Sequence, residues 1–211
     1  MSAINVLLRR VECTRDLGVY IESTLSFNEH VSNITNAAYR TLGVISRITR
    51  EFPSSACIFI LYFSLIRSKL EFSSVVWNCI GYANQAKIEN VQKRFFRIVY
   101  DRYIGRSVYY EYHRLLRRCG CSTLSSRRLE RDLIFLYKCV HGLIDCSTLI
   151  SSINIYVPQV FLRVTPTFSV KKIELSSPMN RIQHFYNKFT TTNIDIFDSS
   201  VQVFRRSLDN I

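Results

Sequence analysis

From Val31 to Ile48 the apolar residues Val31, Ile34, Ala38, Leu42, Ile45 and Ile48 recur at spacings of three and four. That period lines them up on one stripe of an α-helix, whereas a strand would scatter them over both faces. The spacing returns at Ile88, Val91, Phe95, Ile98 and Val99, and again at Leu129, Leu133, Leu136, Tyr137 and Val140. Stripes of this kind must bury against other helices, so the expected fold class is mainly α, a helical bundle. Glycine (6) and proline (4) are too scarce for the many tight turns of an all-β architecture. With 47% hydrophobic residues the chain carries the apolar surface of a folded core rather than of a disordered tail.

Residues 1–27 read as extended. Val6-Leu7-Leu8 and Leu17-Gly18-Val19-Tyr20-Ile21 suggest two short strands in a β-hairpin, with Gly18 marking a bulge or a close backbone approach. Ser26-Phe27-Asn28-Glu29 has the form of a capping box for the helix that ends near Arg50. After Pro53, residues 54–79 form a second helix, apolar on most sides through Cys57, Ile58, Leu61, Tyr62, Leu65 and Ile66, and therefore central in its bundle. A third helix is expected over 83–100, followed by a loop from Asp101 to Arg106 and a shorter helix through Leu115 and Leu116. Ser125 or Ser126 caps a helix of about 126–141. Residues 151–190 lose the period and hold Pro158, Pro166, Pro178 and the Thr190-Thr191-Thr192 run, so they read as an irregular, partly extended loop segment. A last short helix, capped by Asp198 or Ser199, turns Val201, Phe204 and Leu208 inward and Arg205 and Arg206 outward. No internal repeat is visible.

Lys plus Arg number 28 against 16 for Asp plus Glu, a formal charge of +12. Self-repulsion of that size makes an anionic partner a natural expectation, nucleic acid first and an anionic membrane surface second. Arginine outnumbers lysine, and its guanidinium fork binds phosphate bidentately and stacks on bases. Two helices pair an apolar stripe with a basic one: Lys87, Lys93, Arg94 and Arg97 on the first, Arg127, Arg128, Arg131 and Lys138 on the second. Solvated faces usually mix both signs, so these eight residues are the candidate nucleic-acid-binding set, expected to project outward onto a phosphate backbone. The longest apolar run, Ala56 to Ile66, is too short to span a bilayer. Arg9 and Arg10 interrupt the N-terminal apolar stretch, so no signal peptide is read there. Seven irregularly spaced cysteines then imply reduced thiols and an intracellular protein of nucleus or cytoplasm.

Chemistry is harder to find. Acidic residues are spread singly, with no aspartate pair for two-metal phosphoryl transfer, and no glycine-rich phosphate loop occurs. His113, Cys119, Cys121, Cys139 and His141 hold soft ligand atoms, but only one tight C-x-C pair is present where a structural zinc site shows paired knuckles. Buried unreactive cysteine is the plainer reading. A cysteine nucleophile paired with His113 or His141 is marked by nothing in the sequence. No catalytic residue, metal or cofactor is therefore expected.

The order of segments resembles the region after the catalytic palm in reverse transcriptases of non-LTR retrotransposons, the jockey-type elements in particular. The matching pieces are Asp16-Leu17-Gly18-Val19, Leu25-Ser26-Phe27-Asn28-Glu29-His30-Val31, Ala37-Ala38 before Leu42-Gly43-Val44-Ile45, and Leu61-Tyr62 with Ser64-Leu65-Ile66-Arg67. Leu70-Glu71-Phe72-Ser73-Ser74-Val75-Val76-Trp77, Ile88-Glu89-Asn90-Val91-Gln92-Lys93-Arg94-Phe95 and Leu124-Ser125-Ser126-Arg127-Arg128 before Asp132-Leu133 follow. Tyr137-Lys138, Gly142-Leu143-Ile144-Asp145, Arg181, Asn187 and Asp195-Ile196-Phe197 complete the series. No piece is specific alone; their joint order is. The resemblance implies that residues 1–27 end a palm, 28–105 form a thumb-like helical bundle that tracks the template–primer duplex, and 106–211 are a C-terminal helical extension. It further implies a fragment of an RNA-directed DNA polymerase that is not itself an enzyme. Its partners would be an RNA or RNA–DNA duplex and the polymerase domains encoded upstream. The chain departs from the family at Glu22, where aspartate is usual, and at Asn78, where proline often follows the tryptophan. The competing expectation is a helical scaffold that binds no nucleic acid and exposes Val75-Val76-Trp77 and Phe95-Phe96.

Overall fold

The computed structural model describes residues 11–105, 110–158, 165–170, 177–189, 195–197 and 200–208. It begins with a hairpin of Cys13–Asp16 (β1) and Val19–Glu22 (β2), antiparallel, with Asp16 opposite Val19. Leu17 and Gly18 both have positive φ, 45° and 90°, as a two-residue hairpin turn matched to strand twist requires. Gly18 thus makes the turn rather than a bulge, and its Cα faces the Phe72 ring closely enough that an added Cβ would touch it. The expected strand at Val6-Leu7-Leu8 lies outside the described residues, and Val19 pairs instead with the segment just before the turn.

Helix α1, Asn28–Ile48, occupies the span its apolar period predicts, with Val31, Ala38, Leu42 and Ile45 buried. Its capping box does not form. Phe27, not Ser26, holds the cap position, in the left-handed region at φ 53°. The first free amide, Asn28 N, donates instead to Glu22 Oε2 at 2.7 Å, and Ser26 Oγ donates to the same oxygen at 2.7 Å. Glu29 is occupied one turn on by Asn33 (2.8 Å). A carboxylate reaching over from β2 does the capping, so hairpin and helix are stapled by one side chain.

The expected second helix is broken into Ser55–Leu61 (α2), a π-helical turn over Tyr62–Arg67, Ser68–Glu71 (α3) and, after a left-handed Ser73, Ser74–Trp77 (α4). It is not buried on most sides: Ile58, Tyr62, Ile66 and Leu70 face the core, while Ile60 and Leu65 are exposed. The wide turn lays Tyr62 flat on Phe95, centroids 3.9 Å apart, and its hydroxyl donates to Gln92 Oε1 at 2.8 Å. Helix α5, Tyr82–Tyr103, runs further than its period suggests, into the expected loop. Arg102 there donates to Ser46 Oγ (2.7 Å) and Thr49 Oγ1 (3.1 Å) at the carbonyl end of α1. Trp77, Phe95 and Phe96 are fully buried, so the exposed aromatic patch of the scaffold expectation does not exist there; Val76 alone of that set is exposed.

Short helix α6, Tyr112–Arg118, and the first turn of α7, Leu124–Val140, close this first core. Thr123 Oγ1, rather than Ser125 or Ser126, caps α7 by accepting from Ser126 N (3.1 Å). Further along α7, Leu133, Leu136 and Tyr137 enter a second core with Phe168, Ile182 and Phe204. Between α7 and that core's last helix lies the short α8, Ser147–Ser151.

The main correction falls within residues 151–190. Pro178–Phe189 is a helix, α9, with Met179, Ile182 and Tyr186 buried at helical spacing. Pro178 opens it, at the one helical position where a missing N–H costs nothing. The rest of the segment that is described is irregular, held by one antiparallel bridge from Ile155 to Phe168 and by Asn187, whose amide bonds both backbone atoms of Phe168 (3.0 and 2.7 Å). Helix α10, Val201–Leu208, buries Phe204 and Leu208 but exposes Val201. The expected caps Asp198 and Ser199 lie outside the described residues. No helix among the described residues is long and apolar enough to cross a membrane.

If Glu22 caps α1, Glu22→Ala should lower unfolding stability by about 1 kcal/mol. Glu29→Ala should change it by less than half as much, since Glu29 serves only its own helix. Urea denaturation of the two variants checks the ranking.

Candidate nucleic-acid interface

Of the eight basic residues singled out in the sequence, the two helices treat their sets differently. On α5, Lys87, Lys93 and Arg94 stand exposed. Lys93 Nζ lies 5.6 Å from the centre of the Tyr112 ring, which ties this edge of α5 to α6. Arg94 faces α1: its charge acts on the Tyr39 phenol, which burial pushes up and Arg94 pulls back. Arg97 is half-buried, paired with Asp101 one turn on (3.1 Å) and seated over Tyr110 (5.0 Å).

On α7 the outward basic face is reduced to Lys138 and to Arg131, which is exposed but ion-paired. Arg128 is fully buried, at 0% exposure. Its Nε donates to Asn78 Oδ1 at 3.0 Å, and its guanidinium carbon sits 5.8 Å from the centre of the Trp77 ring. Burial lowers its pKa from the ordinary guanidinium value. Arg127 and Arg131, one turn apart, both converge on the carboxylate of Glu71, itself buried at the end of α3. Arg131 also donates to the Glu71 carbonyl (2.9 Å). Only Lys138 remains exposed and outside the ion pairs seen among the described residues. The physical reason is register. Leu124, Arg128, Asp132 and Leu136 repeat every four residues on the buried side, and Arg127 and Arg131 border it beside Glu71.

The same layer holds Asp132, fully buried, which accepts from Asn78 Nδ2 at 2.8 Å and faces Arg181 of α9 with Oδ2 3.6 Å from Nε. Arg181 in turn donates to the Val75 carbonyl at 2.6 Å. Burial raises the Asp132 carboxyl to about 6, against the lowering pull of Arg181, Asn78 and Arg128. Asn78 and Glu22 are therefore structural hubs.

A basic element that the apolar periodicity leaves unmarked is α6. Its inward residues are Tyr112, Leu115 and Leu116, while His113, Arg114, Arg117 and Arg118 are exposed. The signal in the sequence is Arg-Leu-Leu-Arg-Arg, cations at i, i+3 and i+4 around an apolar pair. The helix is too short for its stripe to stand out. Between α5 and α6 lies an open concavity of about 730 Å³ walled by Tyr100, Tyr110, Glu111, Arg114 and Arg118. Burial pushes the Tyr110 phenol up to about 12, so the ring stays a neutral donor.

Among the described residues no cluster of three or more His, Cys, Asp or Glu could hold a metal ion. His113 and Cys121 share a cavity of about 380 Å³ between α6 and α7, but burial and Cys119 push the Cys121 thiol up, which disfavours a thiolate nucleophile. Burial likewise pushes Cys139 up, and His141 Nε2 lies 2.8 Å from the Ile196 carbonyl. No protein-family model, curated protein or solved structure matches this chain.

Two outcomes follow for the buried layer. Glu71→Ala leaves two guanidiniums beside an apolar core and should cost about 2–4 kcal/mol, whereas Arg131→Ala, at the solvent edge, should cost about 1 kcal/mol or less. The Asp132 carboxyl takes up its proton near pH 6 when folded and near pH 4 when unfolded, so its contribution to stability is present below about pH 4 and is lost as pH rises through about 6. Thermal unfolding should show this slope relative to Asp132→Asn, which has no carboxyl to titrate.

Proposed function

We propose that this chain is the post-palm region of a non-LTR retrotransposon reverse transcriptase and that it holds the backbone of an RNA or RNA–DNA duplex. In this reading it lacks catalysis of its own, and its other partner is the upstream polymerase. One observation carries the binding reading. The exposed cations of α5 and α6, Lys87, Lys93, Arg94, Arg114, Arg117 and Arg118, enter none of the ion pairs seen among the described residues. Their neighbour Glu89 is spent on Tyr112 and on the amide of Leu124. Arginines interleaved with tyrosines around an open concavity suit phosphates and stacked bases together. The α7 arginines, committed to Glu71 and Asn78, leave the interface; α6 replaces them.

Binding of a duplex RNA should weaken steeply with salt, and the double variant Lys93→Glu/Arg94→Glu should bind all sequences at least about tenfold more weakly. Arg114→Glu/Arg117→Glu/Arg118→Glu should do the same and flatten the salt slope by about one unit for each phosphate released. Titrations by fluorescence anisotropy at several salt concentrations read both. Affinity that is insensitive to salt, or unchanged in both variants, removes the case.

A further inference from the structure

We propose that the cavity between the start of α5 and the exposed side of α9 is a pocket for a single phosphate group. It measures about 270 Å³ and is lined by Asn78, Cys79, Gln85, Arg181, His184 and Lys188, among others, with no carboxylate among its described lining residues. Arg181 is 3% exposed, and only its Nη2 is satisfied, by Val75; Nε and Nη1 find no hydrogen-bond partner among the described residues. Asp132 behind it, at 3.6 Å, also faces the second buried guanidinium, Arg128, whose Nη1 and Nη2 are likewise without partners among those residues. Arg128 also feels Glu89 and Glu71, whereas Asp132 is the one carboxylate seen against Arg181 among the described residues, so the charge and the Nε–H and Nη1–H donors of Arg181 stay incompletely matched in a buried setting. The Arg181 guanidinium lines this cavity. A group with negative charge and several acceptor oxygens satisfies both deficits.

Phosphate is the ligand class; its source is either a nucleic-acid strand or a free anion. The strand version rests on the reading above, while the pocket itself does not. Cys79 on the wall supplies a footprint, and Cys57 on α2, outside the pocket, an internal reference. Alkylation of each thiol by iodoacetamide, resolved by peptide mass spectrometry at constant ionic strength, is measured with inorganic phosphate against chloride.

Phosphate should slow Cys79 alkylation several-fold and leave Cys57 unchanged. Lys188→Glu, at the exposed rim, should abolish that protection while circular dichroism stays native. Arg181→Lys, which keeps the charge but loses the fork, should weaken it. A duplex RNA without terminal phosphates that protects Cys79 supports the strand as source. Protection by inorganic phosphate alone supports a free or terminal phosphate. Equal alkylation with and without phosphate, or equal protection in Lys188→Glu, overturns the pocket, even if duplex binding at α5 and α6 persists. Phosphate protection without duplex binding anywhere keeps the pocket and removes the reading of the preceding section.

Discussion

The fold depends on a layer of charge buried where its two hydrophobic cores meet. Glu71 draws in Arg127 and Arg131; Asn78 spans Arg128 and Asp132; Asp132 reaches Arg181 and Arg181 the backbone of Val75. Every element at the junction, from α3 and α4 through α7 to α9, contributes to it. Apolar packing alone is tolerant of which apolar side chain meets which. Charge-assisted hydrogen bonds are not: removing one partner strands the other in a low-dielectric interior. The layer thus sets how α7 is rotated, and that rotation decides which arginines the molecule can show to a ligand.

The consequence for function is a division of labour among cations of the same chemical type. Arginines on α7 hold the structure together, whereas those on α6 and Lys87, Lys93 and Arg94 of α5 face solvent. A charge of +12 is therefore not spread over the surface as its total suggests. Part of it is sequestered at the junction, and six of the exposed cations lie on α5 and α6 beside Tyr100, Tyr110 and Tyr112. Within the sequestered part, Arg181 keeps two nitrogens without a hydrogen-bond partner among the described residues, which is what suits its cavity to an anion.

Much of the fold is legible in the chain. The stripes of α1, α5 and α7 are readable because long helices repeat their apolar residues often enough for the period to stand clear. The turn at Leu17 and Gly18 is not, because a glycine within an extended run reads as well as a bulge inside a strand. Helix α9 escapes a reading of the sequence because Pro178 has the look of a breaker, although proline at a first helical position is permitted. Its twelve residues, flanked by prolines and threonines, also give a short signal. The cap of α1 is hidden for a different reason: local spacing favours Glu29, but Glu22 arrives through the hairpin.

What the sequence determined by itself was the class of the molecule: helices with apolar stripes, an N-terminal hairpin and an excess of arginine. Periodicity and composition are properties of the chain, and burial of apolar surface enforces them whatever the arrangement. What only the tertiary structure decided was the role of each arginine. A helical wheel places Arg127, Arg128 and Arg131 beside an apolar stripe but cannot say whether water or Glu71 and Asn78 lie across from them. Those partners come from residues far along the chain, at separations of 56, 50 and 60. Electrostatic pairing at that range depends on how the helices dock, and docking is settled by the fold as a whole.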